Sequence, residues 1–266
     1  MGQENGKGTE GETMNRIANR LVRDYVNQVN VSECNPYLIY YFFSVEANRN
    51  QVDKLNSLKS LVGNFNIFSI LNEIEKRKLC MFRKLESDCY QIVHLRAKLV
   101  QNAVPGIGIE SPYETGIRLH YIYGIPFIPS SAVKGSLSSY LKLFLDKGDK
   151  DDDRIRILGS QEKKGSVLFF DAYPLLSQNG TLLKLDIVTP HYQPYYAGEN
   201  YPGDWFSPVP IPFLTIKKGV EFGFYIAARD INDLNTASDW LKKALQKVGV
   251  GAKTMTGFGH FRIIEG

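Results

Sequence analysis

Three segments of this chain concentrate groups that can hold a polyanion. The first, IPFIPSSAVKGSL, runs from Ile125 to Leu137. Its prolines stiffen the approach to a helix, Ser130 or Ser131 can cap that helix, and Lys134 and Gly135 follow at once. A cation near the positive end of a helix dipole is disfavoured unless an anion is bound there. Free amides, hydroxyls, a lysine and a glycine together make a phosphate site; an ordinary capped helix with its lysine in water is the competing reading. The second segment, GVGAKTMTGFGHF, spans Gly249 to Phe261. Gly249, Gly251, Ala252, Lys253, Thr254, Gly257, Phe258 and Gly259 form a loop of the kind whose bare amides contact phosphates. A C-cap explains Gly249 and leaves Gly251, Gly257 and Gly259 for close approach of a ligand. The pattern is not a Walker loop, because Ala252 precedes Lys253 and a strand follows. The third segment, Thr189 to Phe213, holds six prolines and the rings of His191, Tyr192, Tyr195, Tyr196, Tyr201, Trp205 and Phe206. The prolines argue against regular helix or central strand, and flat side chains on such a projection stack on unpaired bases or anchor the loop to protein.

Signals for catalysis are sparse. His94, His120, His191 and His260 are scattered, without HxxxH or H-x-E spacing for a metal and without a G-x-S-x-G elbow. No metal or other cofactor is expected. A metal-independent ribonuclease needs only an acid and a base, so His120 with Tyr113 stays open as such a pair.

The elements that must position these groups follow from periodicity. The 266 residues are 43% hydrophobic and 23% charged, a globular profile. Three cysteines without CxxC fit reduced thiols, and no apolar run is long enough for a membrane span, so a cytoplasmic protein with no membrane partner is expected. The net charge is only +4, yet Thr115–Lys142 and Leu241–Arg262 carry basic residues and no acid. Residues 1–12 read as a disordered tail and 13–88 as a mainly helical extension, with apolar faces along Met14–Val29 and Ile67–Leu85. From residue 89 the order is strand, helix, several strands, helix, strand. Val93, Leu95, Ala97 and Leu99 alternate with His94, Arg96 and Lys98, giving one apolar and one basic sheet face. Helices are predicted near Ser130–Leu145 and, from a Thr236-x-x-Asp239 capping box, near Thr236–Val248; the acidic run DKGDKDDD between residues 146 and 153 reads as a solvated loop. Strands are predicted at Ser166–Tyr173, Leu182–Val188, Ile211–Ile216, Val220–Ala228 and Phe258–Ile264. The expected fold is α+β, a ferredoxin-like domain over 89–266 with insertions near 146–164 and 189–213.

The glycine-rich loop, the IPFIPSSAVKG helix start, and SVLFFDAYP followed by LDIVTPHYQPYY resemble the RAMP superfamily of CRISPR-associated RNA-binding proteins. Within it, DAYP combined with D-I-x-x-P-H-Y-x-x-Y-Y is similar to the sixth-subunit family of the Cmr, or type III-B, effector complexes. The resemblance covers residues 89–266. It implies a ferredoxin-like, RRM-related fold and a non-catalytic subunit near the 3′ end of the guide RNA (crRNA). Its implied partners are crRNA, the target RNA, and the other Cmr backbone and small subunits. It implies no catalytic residue; a metal-independent endoribonuclease of the same superfamily is the alternative. Ser130 stands where the family usually has glycine, which reduces backbone freedom at one contact and leaves Lys134 and Gly135 in place.

Overall fold

The computed structural model describes residues 34–43, 58–59, 67–113, 115–175, 181–189, 193–201, 203, 205, 207–208 and 210–264. The expected tail 1–12 and the helix over Met14–Val29 lie outside them, as do His191, Tyr192 and Phe206. The chain is α+β. Its main sheet contains β1 (Gln91–Leu99), β2 (Val167–Phe169), β3 (Tyr173–Pro174), β6 (Glu221–Ala228) and β7 (Phe261–Ile264). The spatial order is β2-β6-β1-β7, with β3 beside β2 on β6, and every pairing is antiparallel. A second, two-stranded sheet joins β4 (Leu183–Val188) and β5 (Ile211–Ile216).

The period-two pattern of β1 sets its two faces. Leu95, Ala97 and Leu99 are buried and Val93 packs against the same core, while His94 and Arg96 are exposed. A register slip of one residue would invert this arrangement. On the apolar side, α2 (Ser130–Phe144) and α4 (Ile231–Lys247) pack on the sheet. Val133, Leu137 and Leu141 of α2 and Leu234, Ala237, Leu241 and Leu245 of α4 close over Phe222, Phe224 and Phe261. Each such large side chain contributes about 1.5–3 kcal/mol on full burial.

The opposite sheet face is partly covered by α1 (Ile67–Ser87). Phe82 of this helix meets the rings of Phe170 and Tyr225 at 5.5 and 4.7 Å. His94 stacks on Tyr225 at 4.2 Å, and Arg96 and Lys98 both pair with Glu221 of β6. The basic face expected from β1 is therefore largely neutralised within the sheet.

Several boundaries differ from expectation, each for a local reason. α4 starts at Ile231 because the Asp230 carboxylate accepts from the amides of Asn232 and Asp233. Thr236 lies inside the helix and its hydroxyl donates to the Asn232 carbonyl, so the Thr236–Asp239 capping box does not form. The acidic run is not wholly a loop: Asp151 caps α3 (Asp152–Leu158), with Asp152 and Asp153 in the first turn where the dipole favours acids. Lys147 holds Asp151 and Asp153, Arg154 holds Asp149, and Arg156 reaches Asp233 of α4 at 2.9 Å. The strand predicted over Ser166–Tyr173 breaks at residues 170–172, and the last strand begins only at Phe261.

Candidate nucleic-acid interface

The first residue of α2 is Ser130, and its N-cap is Pro129, which has no side-chain cap. Neither serine caps the helix as expected. The cap is Asp171, whose Oδ1 accepts from the Ser130 amide at 2.7 Å. Reciprocal backbone bonds between Ile128 and Ala172, 2.9 and 2.8 Å, bring this carboxylate to the helix start. The anion that the positive helix end calls for is thus supplied by the protein itself. Lys134 stands in the second turn, exposed, with no ion pair to any described residue. Ser131 and Gly135 are exposed beside it, and a Cβ built on Gly135 meets nothing within 4 Å. Glycine inside a helix costs about 1 kcal/mol relative to alanine, and no packing constraint in the described chain requires it here.

The glycine-rich loop is tied to this helix. Ser136, buried in α2, donates its hydroxyl to the Gly249 carbonyl at 2.7 Å. Two of the three segments singled out in the sequence are therefore adjacent. Asn102 braces the loop from behind: its carbonyl accepts from Gly259, its Nδ2 donates to Asp186, and its Oδ1 accepts from Lys218. Val104 pairs with Ala252.

Gly249, Gly251, Gly257 and Gly259 all have positive φ, between 72 and 101°. Added Cβ atoms at Gly249 and Gly259 meet backbone of the loop's other arm at 2.8 and 2.1 Å, and at Gly251 the Val104 carbonyl at 3.0 Å. The loop's own conformation therefore demands glycine at Gly251, Gly257 and Gly259, so their presence does not by itself imply close approach of a ligand. Around Gly257 alone the Cβ position is open. Lys253, also left-handed at φ 59°, turns its carbonyl inward, where it accepts from Thr256 and Phe258, and its side chain is exposed. Among the described residues none accepts from the amides of Lys253, Thr254 and Met255. Phe258 is half-buried, and both ring nitrogens of His260 face carbonyls, of Gln246 and Thr254.

In the third segment, Tyr196, Tyr201 and Trp205 are more than 70% exposed.

His120 and Tyr113 occupy different ring clusters. Tyr113 is buried and stacked on Tyr40 at 4.9 Å. His120 sits among Tyr121, Tyr123, Phe127 and Tyr173. Its Nδ1 accepts from the amides of Ile122 and Tyr123, and burial lowers its pKa, so the ring is held neutral by its turn. Burial also pushes the Lys78 ammonium down to about 8, where it lies 4.8 Å from the ring centres of both Tyr173 and Tyr225. Among the described residues no cluster of three or more His, Cys, Asp or Glu is arranged to hold a metal ion, and no helix is long and apolar enough to cross a membrane.

Sequence reasoning missed Asp171, Asn102 and Ser136. Asp171 lies 41 residues from Ser130, and only the pairing of Ile128 with Ala172 joins them. Asn102, just before a Gly/Pro-rich stretch, carried the one local hint, since Asn is a turn residue that bonds nearby backbone.

The curated relatives include the CRISPR system Cmr subunit Cmr6 of Pyrococcus furiosus, 35% identical, with 63% of this chain and 66% of that protein covered. Another is the Cmr6 subunit of Saccharolobus solfataricus, 30% identical over 57% of this chain and 49% of that one. The match thus spans about two thirds and one half of these relatives' lengths. Among solved structures, a chain in the cryo-EM structure of the type III-B Cmr-beta complex bound to cognate target RNA superposes with a TM-score of 0.69. It covers 94% of this chain and 89% of the other at 24% identity, a likeness of fold. The family model of the RAMP superfamily matches residues 63–262, which includes α1, the helix start and the whole glycine-rich loop, and the chain accordingly belongs to the RAMP superfamily.

Proposed function

We propose that this chain is a non-catalytic, guide-RNA-binding subunit of a type III-B CRISPR (Cmr) effector complex, placed near the 3′ end of the crRNA beside other Cmr subunits and the target RNA. The observation that carries the reading is Gly135. It is a helix glycine with empty space at its Cβ position, flanked by exposed Lys134 and Ser131 and backed by the Ser136 bond to the glycine-rich loop. A helix tolerates glycine there at a cost in stability, and close approach of a sugar–phosphate backbone gives that cost a use. Lys134, Lys253 and the amides of Lys253–Met255, from which no described residue accepts, offer phosphate contacts, which position a strand without reading its bases. The relatives named Cmr6 support the assignment to the Cmr system. The finer fold reading, a ferredoxin-like plan, is supported by the strand order β2-β6-β1-β7 and by α2 and α4 lying together on one sheet face.

Binding of the purified chain to labelled single-stranded RNAs of unrelated sequence tests the reading. Lys134→Ala should weaken all of them similarly and lower the salt slope by about one. Unchanged affinity and slope would remove the helix start from the interface. Incubation with and without divalent metal tests the non-catalytic part: reproducible cleavage, lost in His120→Ala, would establish the endoribonuclease instead.

A further inference from the structure

Beside the helix start lies an open cleft of about 860 Å³, within the ~300–1,000 Å³ range of small-ligand pockets. Tyr37, Tyr41 and Phe42 contribute one group of rings, and His120, Tyr121 and Phe127 a second. Within each group the rings touch: Tyr37 and Tyr41 lie 4.9 Å apart, His120 and Tyr121 5.1 Å apart at an interplanar angle of 12°. Among the described residues no ring of one group contacts a ring of the other. Asn35 fixes the spacing by donating from Nδ2 to the carbonyls of Tyr121 and Ile122. Phe42 is 55% and Tyr121 66% exposed, a level that no packing requirement explains.

We infer that this cleft receives one unpaired nucleotide of a bound RNA strand, its base stacked on the Phe42 or Tyr121 ring and its phosphate against Arg118. The inference rests on the RNA-binding reading above and adds a site to it. Two observations favour a nucleotide over an apolar peptide. Arg118 lines the cleft, exposed and without an ion pair to any described residue, so it answers the charge of a phosphate. The cleft is also continuous with the helix start, because Asp171 lines it and at the same time caps α2 through Ser130. The second oxygen of Asp171 and the exposed Glu110 are the acceptors available to the N–H edge of the base. Stacking of this kind tolerates any base.

The test uses the full-length chain and single-stranded RNA carrying 2-aminopurine, whose fluorescence falls when it stacks. Of Tyr121→Ala and Phe42→Ala, the one that removes the stacking ring should weaken binding about tenfold, the effect of about 1.4 kcal/mol, and restore fluorescence at one position of the strand. Tyr121→Phe should bind like the parent chain, since the ring is kept. Arg118→Ala should lower the salt slope by about one. Full affinity and unchanged fluorescence in both ring-to-Ala variants would overturn the cleft while leaving Lys134→Ala to report separately on the helix start. Failure of the parent chain to bind any RNA would overturn both. A photo-crosslinker at Tyr121 in the assembled complex should capture RNA; capture of a protein neighbour in its place would reassign the cleft to a peptide.

Discussion

Gly135→Ala separates folding from binding more cleanly than any other substitution in this chain. The added methyl replaces the least favourable helix residue after proline by the most favourable, a gain of about 0.8–1.0 kcal/mol in a helix interior. Nothing lies within 4 Å of the new Cβ, so no steric term opposes the gain. For a chain of this size, about 1 kcal/mol raises the melting temperature by roughly 2–4 °C. On the RNA side the sign reverses. If the strand approaches the α2 backbone there, a methyl forces it away from Lys134 and Ser131, and losing one charge-assisted contact of about 1.5–3 kcal/mol corresponds to a roughly 10- to 150-fold weaker complex. The assay is a thermal melt of the free chain beside fluorescence anisotropy with a single-stranded RNA. A stabilised variant with undiminished binding would show that the open face of α2 is plain solvent-exposed surface. A lowered melting temperature would refute the account of the glycine altogether. Gly257→Ala gives no such separation, because its φ of 96° makes any side chain strained whether or not RNA is near.

Three further outcomes follow from the same geometry. Asp171→Ala removes the carboxylate that caps α2 and should cost about 0.5–2 kcal/mol, read as a lower midpoint in chemical denaturation, whereas Asp171→Asn, which keeps an acceptor, should cost less. His94 and His120 both have folded-state pKa values lowered by burial from 6.5, so the unfolded chain takes up protons first. Stability from these two groups is present above about pH 6.5 and lost as pH falls below it; melting curves from pH 7.5 to 5 should show the decline, and His120→Gln should flatten it. Lys78, pushed down from 10.5 to about 8, gives a slope in the alkaline range, because between these values the unfolded chain holds the extra proton and stability rises with pH. Melting temperatures of the parent chain should therefore gain, relative to Lys78→Met, between pH 8 and 10.5; parallel curves would mean that the ammonium is solvated.

What the sequence disclosed depended on whether the signal was local. The alternation along Val93–Leu99 placed β1 and its faces, because a half-buried strand has no other way to satisfy a period of two. For α4 the spacing of Thr236 and Asp239 reads as a capping box, but the cap is Asp230, whose carboxylate accepts from Asn232 and Asp233, and Thr236 lies inside the helix. The acidic run reads as solvated loop from its composition alone, yet its counter-ions are local, Lys147 within the run and Arg154 and Arg156 just beyond it, and they hold the short helix that Asp151 caps. At the candidate site, residue types were legible and conformations were not. Lys134, Gly135 and the glycine-rich loop were found by composition, yet the sign of φ at Gly251 and the empty space at Gly135 are properties of the fold. Arg118 and Tyr121 went unread as a site because their partners, Tyr37 and Phe42, come from a segment about eighty residues away that carries no motif.

The placement of α1 explains why RNA contacts are sought at helix ends and loops rather than on the sheet. An open sheet of this kind presents aromatic rings on its bare face for stacking with bases. Here Tyr225, in the middle of that face, is sandwiched against His94, Phe82 and the Lys78 ammonium and donates its hydroxyl to Glu75. Arg96 and Lys98, the face's cations on β1, are held by Glu221. Uncovering this platform means moving Leu71, Ile74 and Phe82, each nine-tenths or more buried, at about 1.5–3 kcal/mol apiece. Stacking one base returns about 1–3 kcal/mol, so displacing the helix for RNA loses on balance. Lys134, Lys253 and Arg118, which make no ion pair with a described residue, and the exposed rings of Phe42 and Tyr121 lie instead at the start of α2, on the loop bonded to it through Ser136, and in the cleft shared with its capping carboxylate. A strand held there meets cations and flat rings without any element having to move.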